Sequence, residues 1–148
     1  MSIRVAAATV LLVPVVSGCD LYRAEPRLTV QVDKSMYLQA APNGPVLIQA
    51  VVRNTGDRVA VLQGCDPTLN WDFQQLVNGR WQGRSSGGFA CAPPTIVRVD
   101  LAPGQSHTDT LDVSLPGSTY RLAVFYQTSP QASDFRVSEP SAPFAIRP

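Results

Sequence analysis

The sequence predicts an all-β fold, a two-sheet sandwich of seven or eight strands, on three observations. From Arg27 onward no window sustains a 3.6-residue apolar period, while short alternating or wholly apolar runs recur. Clusters of Pro, Gly, Asn and Asp separate those runs, and these are the residues that supply turn geometry. Finally, Leu115-Pro116-Gly117-Ser118-Thr119-Tyr120-Arg121-Leu122 leads from a Pro-Gly turn into a strand with a tyrosine near its start. That is the layout of a tyrosine corner, in which a buried ring returns its hydroxyl to the chain at the edge of a sandwich.

The elements follow in order. Leu28, Val30 and Val32 alternate with Thr29, Gln31 and Asp33, which puts three apolar side chains on one face of a first strand. Val46, Ile48, Ala50 and Val52 share a face of a second strand that stops at Asn54-Thr55-Gly56-Asp57. Val59 to Leu62 forms a short third strand running into Cys65. Trp71-Asp72-Phe73 and Leu76-Val77 precede Asn78-Gly79, a strong hairpin signal because a type I′ turn needs positive φ at both central residues. A two-residue loop there sets Leu76 opposite Trp81, and the shift of apolar phase between Phe73 and Leu76 predicts a bulge near Gln74-Gln75. Gly83 to Pro94 is a loop rich in Gly, Ser and Pro. Ile96 to Leu101 is a strand, Ala102-Pro103-Gly104-Gln105 a turn, and Thr108 to Val113 the next strand. Tyr120, Leu122, Val124 and Tyr126 point one way along the strand after the corner, and the last strand lies near Phe144-Ala145-Ile146, after a polar segment from Ser129 to Pro143.

Several of these stretches together resemble the bacterial immunoglobulin-like domains of envelope lipoproteins. They are a first strand ending in Asp33-Lys34-Ser35-Met36-Tyr37, a second ending at Asn54-Thr55-Gly56, Trp81 after Asn78-Gly79, Leu101-Ala102-Pro103-Gly104, Pro116 to Arg121 and Ser141-Ala142-Pro143-Phe144. Similar turns occur in fibronectin type III-like domains and in a proteinase-inhibitor family of bacilli. The resemblance implies an immunoglobulin-like Greek-key sandwich over 27–148. It rests on structural turns and carries no site. Unlike antibody domains, the chain has Cys65 and Cys91 near the third strand and the following loop, so a bridge between them ties down a loop instead of joining the sheets.

The start of the chain has the layout of an export signal: Arg4, an apolar stretch from Val5 to Val16, then small residues. That stretch is shorter than the roughly 20 residues that cross a bilayer. Val16-Ser17-Gly18-Cys19 resembles the lipobox of bacterial lipoproteins. The resemblance implies removal of residues 1–18, a thioether-linked diacylglycerol on Cys19 and an acylated (palmitate) amino group. Several chains together anchor firmly where one holds loosely. Residues 19–26 then form the lipidated cysteine and its tether, and the expected location is the cell envelope, membrane-anchored and facing the periplasm or exterior. Asp20 resembles the inner-membrane retention residue of enteric bacteria. Without Arg4 the chain has eleven basic and eleven acidic residues. That balance argues against nucleic acid as a partner and against electrostatic attachment to anionic lipid.

In an exported chain whose Cys19 carries lipid, Cys65 and Cys91 are left as a pair in an oxidising compartment. Closing that loop contributes about 3.5 kcal/mol on the chain-entropy model. The competing metal site of Cys65, Cys91 and His107, with Asp66, lacks a Cys-x-x-Cys or second histidine to complete a tetrahedral set. Ser106-His107-Thr108-Asp109 holds the only histidine, but on a strand Ser106 points away from the face shared by His107 and Asp109. A nucleophile and its base do not meet across a sheet, so the run reads as a solvated strand edge with no catalytic residues. Asp57, Asp66, Asp72, Asp100 and Asp112 have no short spacing that would gather calcium's six to eight oxygens. No metal or cofactor is expected, and no phosphate-cradling glycine loop is present.

Trp71, Phe73 and Trp81 offer either core filling or a surface platform for a glycan or peptide. Arg84 and Phe89 sit in the tethered loop, where restricted freedom lowers the entropy lost on binding. The expectation is a non-enzymatic binding or assembly module with an envelope protein or glycan partner. A second reading is a protease inhibitor presenting the loop over 83–94 as bait, and a third is a hydrolase without a recognisable motif. Fold alone does not separate them.

Overall fold

The structure, a computed structural model, describes residues 25–65, 67–83 and 96–148. Every regular element among them is a strand: β1 (Leu28–Val32), β2 (Met36–Leu38), β3 (Pro45–Asn54), β4 (Ala60–Cys65), β5 (Thr68–Leu69), β6 (Trp71–Val77), β7 (Arg80–Gly83), β8 (Ile96–Leu101), β9 (Ser106–Ser114), β10 (Ser118–Gln127), β11 (Arg136–Val137) and β12 (Phe144–Arg147). The fold is all-β, as the alternating runs predict. One antiparallel sheet has the order β1-β3-β9. In the other, β10 is the hub. One flank of β10 pairs with β6 and β4, and its other flank with β12 and β11. This second sheet is mixed, because β2 joins β12 in parallel.

Both sheets feed one apolar cluster. Leu28, Val30, Ile48, Ala50, Val52 and Leu111 come from the first sheet, and Leu62, Trp71, Leu122, Val124, Phe144 and Ile146 from the second. Tyr120, Leu122, Val124 and Tyr126 are all buried, as their spacing predicts. The Tyr120 hydroxyl donates to the Pro116 carbonyl at 2.8 Å, which is the tyrosine-corner bond. Phe144 fills the space between Tyr120 and Tyr37, with ring centroids 6.1 and 5.6 Å away. Asn78 and Gly79 have φ of 51° and 76°, and Leu76 faces Trp81 across the hairpin. The Asn-Gly reading therefore holds at the level of dihedrals.

Four expectations are corrected. The strands number twelve among the described residues rather than seven or eight, and three of them, β2, β5 and β11, are too short for periodicity to detect. The stretch from Leu28 to Tyr37 is broken: Asp33 donates its N–H to Gln49 O and accepts from the Tyr37 hydroxyl at 2.6 Å, and β2 crosses to the other sheet. No bulge occurs at Gln74-Gln75, since β6 keeps an unbroken register with β10 from Trp71 to Gln75 and with β7 from Gln74 to Val77. The apolar phase shifts because Leu76 lies on the outer face with Trp81, while Trp71 and Phe73 lie on the inner one. The polar segment from Ser129 to Pro143 is also part of the fold. Ser138 and Ser141 donate main-chain N–H groups to Val124 O and Leu122 O, and their hydroxyls accept from Val124 N and Leu122 N at 3.0 Å each. Two side-chain oxygens thus take the place of ladder carbonyls where β10 would otherwise have a bare edge.

Candidate functional site

Both feet of the loop over 83–94 are held in the sheet. Gly83, the last residue of β7, pairs with Gln74, and Ile96, the first of β8, pairs with Cys65. Cys65 also faces Thr68 in the tight β4–β5 turn, and it is bonded rather than a free thiol. That turn depends on Gly64, where an added Cβ would lie 2.1 Å from Thr68 O and 2.4 Å from Leu69 Cα. Arg84, Phe89, Cys91, Cys19 and Asp66 lie outside the described residues.

Beside Cys65 the two sheets part to leave a groove of about 300 Å³, lined by Leu69, Trp71, Phe73, Leu111 and Val113, with Asp112 at its rim. Next to it Asp109, on the inner face of β9, ties the two sheets together. Asp109 Oδ2 accepts from Leu69 N and from Trp71 Nε1, each at 2.8 Å, and Oδ1 lies 2.8 Å from His107 Nε2. The expected solvated edge holds at the exposed Ser106 and Thr108 and is corrected at Asp109, which is only 7% exposed, because alternation turns it inward, where an indole N–H and a main-chain N–H need an acceptor. Ser106 does fall on the opposite face, away from this His–Asp pair. The signal available in the sequence was Trp71 itself, since a buried indole requires an acceptor.

The three aromatic candidates do not form one platform. Trp71 is core, Phe73 lines the groove, and Trp81 lies on the outer face with the Arg121 guanidinium 4.6 Å from its ring centre. Arg121 Nε donates to Gln74 Oε1 at 2.6 Å, and Gln74 Nε2 to Asp72 Oδ2 at 2.8 Å. Of the scattered acids, Asp100 is engaged bidentately by Arg98 at 2.8 and 2.9 Å, and that bond holds its carboxyl below the usual range. Asp57 lines a different cavity, of about 600 Å³, bounded by Glu25, Pro26, Tyr126 and Val137. There the described chain begins, fastened by a 2.6 Å bond from Arg136 to Glu25. Among the described residues no three His, Cys, Asp or Glu side chains gather as a metal site, and no helix is long and apolar enough to cross a membrane.

No family model and no curated protein matches the chain. Among solved structures, it is similar to a β-glucosidase from Listeria innocua, with 12% identity and a TM-score of 0.35, over 83% of this chain and 16% of that one. A β-glucosidase, EmGH1, from Erythrobacter marinus matches at 12% identity and TM-score 0.35, over 82% of this chain and 15% of that one. The sporulation control protein Spo0M of Bacillus subtilis matches at 11% identity and TM-score 0.36, over 84% and 50%. The chain thus spans half or less of each of these structures.

Proposed function

We propose that this protein is a lipid-anchored envelope protein that binds or assembles and does not catalyse, built on one immunoglobulin-like Greek-key sandwich. The fold reading is supported by the Tyr120–Pro116 bond and by two sheets sharing one core. In this reading Cys19 carries the lipid, residues 20–26 span from it to the Arg136–Glu25 contact, and Cys65 is bridged to Cys91. The observation that carries the binding function is the anchoring of both feet of the loop over 83–94, Gly83 against Gln74 and Ile96 against Cys65. In this reading the fixed ends and the Cys65–Cys91 bridge lower the entropy that a loop carrying Arg84 and Phe89 loses on contact.

Crosslinking of the acylated protein in its own membranes, followed by capture, tests this. Arg84→Ala with Phe89→Ala is expected to reduce the captured partner at least tenfold. Capture unchanged by the double variant removes the loop from the function, and no captured partner in any form removes the binding reading.

A further inference from the structure

We propose that β9 is a docking strand whose free edge, with the apolar groove beside it, takes an extended segment of another protein. In that segment apolar side chains alternate with polar ones, and a lysine or arginine lies across from Asp112. The inference rests on the binding reading above and adds to the loop a second contact surface with a stated partner chemistry.

β9 is nine residues long and pairs with β3 alone; among the described residues nothing pairs with its other side. The direction of its main-chain groups follows from β3. Gln49 exchanges bonds with Asp33 on the β1 side, its O accepting from Asp33 N at 3.0 Å and its N donating to Asp33 Oδ1 at 2.9 Å. Asn54 turns the other way, donating to Gln105 O at 3.0 Å and accepting from Gly104 N at 2.8 Å. Alternation then bonds Ile48, Ala50 and Val52 to Leu111, Asp109 and His107. Thr108, Thr110 and Asp112 are left with their N–H and C=O groups aimed outward, and all three residues are exposed.

Other edges are short or blunted, as natural sheets require. β1, the opposite edge of the same sheet, has five residues, β2 and β7 have three and four, and β8 displays the Arg98–Asp100 ion pair. β9 has no proline, lysine or break, and its one inward acid, Asp109, is already occupied by Leu69 N, Trp71 Nε1 and His107. A strand added to β9 extends the sheet over the groove, and its inward side chains fall beside Leu111 and Val113, against Trp71 and Phe73. Main-chain bonds then give affinity, and the groove reads alternate side chains.

The same geometry argues against a second copy. Antiparallel β9 strands crossing at Thr110 would set Asp109 against Leu111 and His107 against Val113, pressing polar groups on the apolar wall. Asp112, exposed at the rim and with no ion pair among the described residues, instead favours a basic residue opposite it.

The test uses the full chain in detergent micelles and a synthetic ten-residue peptide alternating valine with lysine or threonine. Its control is a peptide of the same composition with the valines in one block. Amide exchange followed by NMR is expected to slow at least tenfold at Thr108, Thr110 and Asp112 with the alternating peptide, and to stay unchanged along β1. Thr110→Pro removes an outward N–H that bonds nothing within the fold, and Asp112→Lys reverses an exposed charge. Each is expected to weaken the peptide at least tenfold while the near-ultraviolet dichroism is kept. Absence of protection at millimolar peptide, or equal binding by the blocked peptide or by Thr110→Pro, overturns the proposal. If membranes yield a captured partner while β9 stays unprotected, the binding reading stands and strand docking falls.

Discussion

Replacing Asp109 with alanine removes the one acceptor shared by Leu69 N and Trp71 Nε1, two donors in a region where Leu69 and Trp71 are 4% and 6% exposed. A buried donor left without a partner costs about 1–3 kcal/mol, so the two together place the loss at about 2–6 kcal/mol. That is a large share of the roughly 5–15 kcal/mol that keeps a domain folded. Asp109→Asn is the informative contrast. Its amide oxygen takes the place of Oδ2 and still accepts both bonds, while its NH₂ faces His107 Nε2, whose acceptor tautomer suits it. Only the charge assistance is lost, about 1 kcal/mol. Urea unfolding followed by tryptophan fluorescence measures both, with the slope m checked for constancy so that midpoint shifts report stability. An alanine cost below about 1 kcal/mol, or asparagine as damaging as alanine, would refute the claim that Asp109 holds the sheets together by accepting these bonds.

Tyr120→Phe deletes the hydroxyl that donates to Pro116 O and leaves an exposed carbonyl that water can satisfy, so the expected loss in urea unfolding is about 1 kcal/mol. Gly64→Ala drives a methyl into Thr68 O and Leu69 Cα, and is expected to cost about 1–3 kcal/mol and to speed exchange of the amides of β5. Burial pushes the Asp33 carboxyl up, but hydrogen bonds from Tyr37 and Gln49 outweigh it and hold it below the ordinary 3.8. Such a carboxylate adds stability above the unfolded-state value that disappears as pH falls through the lower folded-state one. Thermal midpoints measured downward from pH 6 are therefore expected to fall less steeply below pH 4 in Asp33→Asn than in the wild type; parallel curves would remove this contribution.

Much of the fold was legible because strands report themselves by a period of two. Val46 to Val52 and Tyr120 to Tyr126 needed nothing else, and Asn78-Gly79 named its own dihedrals. The parts that were hidden depend on which strands meet. Nothing local to Met36-Tyr37-Leu38 says that it leaves β1 and joins β12, and Ser138 and Ser141 look like loop serines until β10 lies beside them. Leu76 misled because an outward leucine shifts the apolar phase just as a bulge would, although its partner Trp81 was already placed. At the candidate site, the incompatibility of Ser106 with His107 followed from alternation alone. The burial of Asp109 did not, since a polar residue on an inward position reads as solvated until a donor such as Trp71 Nε1 is brought to it. The free edge of β9 was equally hidden, because an edge is defined by the absence of a neighbour.

In the proposed function a lipidated Cys19 anchors a domain whose Cys65 is bridged to Cys91. Intact mass of the protein from native membranes, with and without reductant, tests both at once. The expected species is Cys19–Pro148 plus a diacylglyceryl and an acyl group, and reduction should add the mass of two hydrogens. A chain that retains residues 1–18 without lipid, or a mass that reductant leaves unchanged, would contradict it.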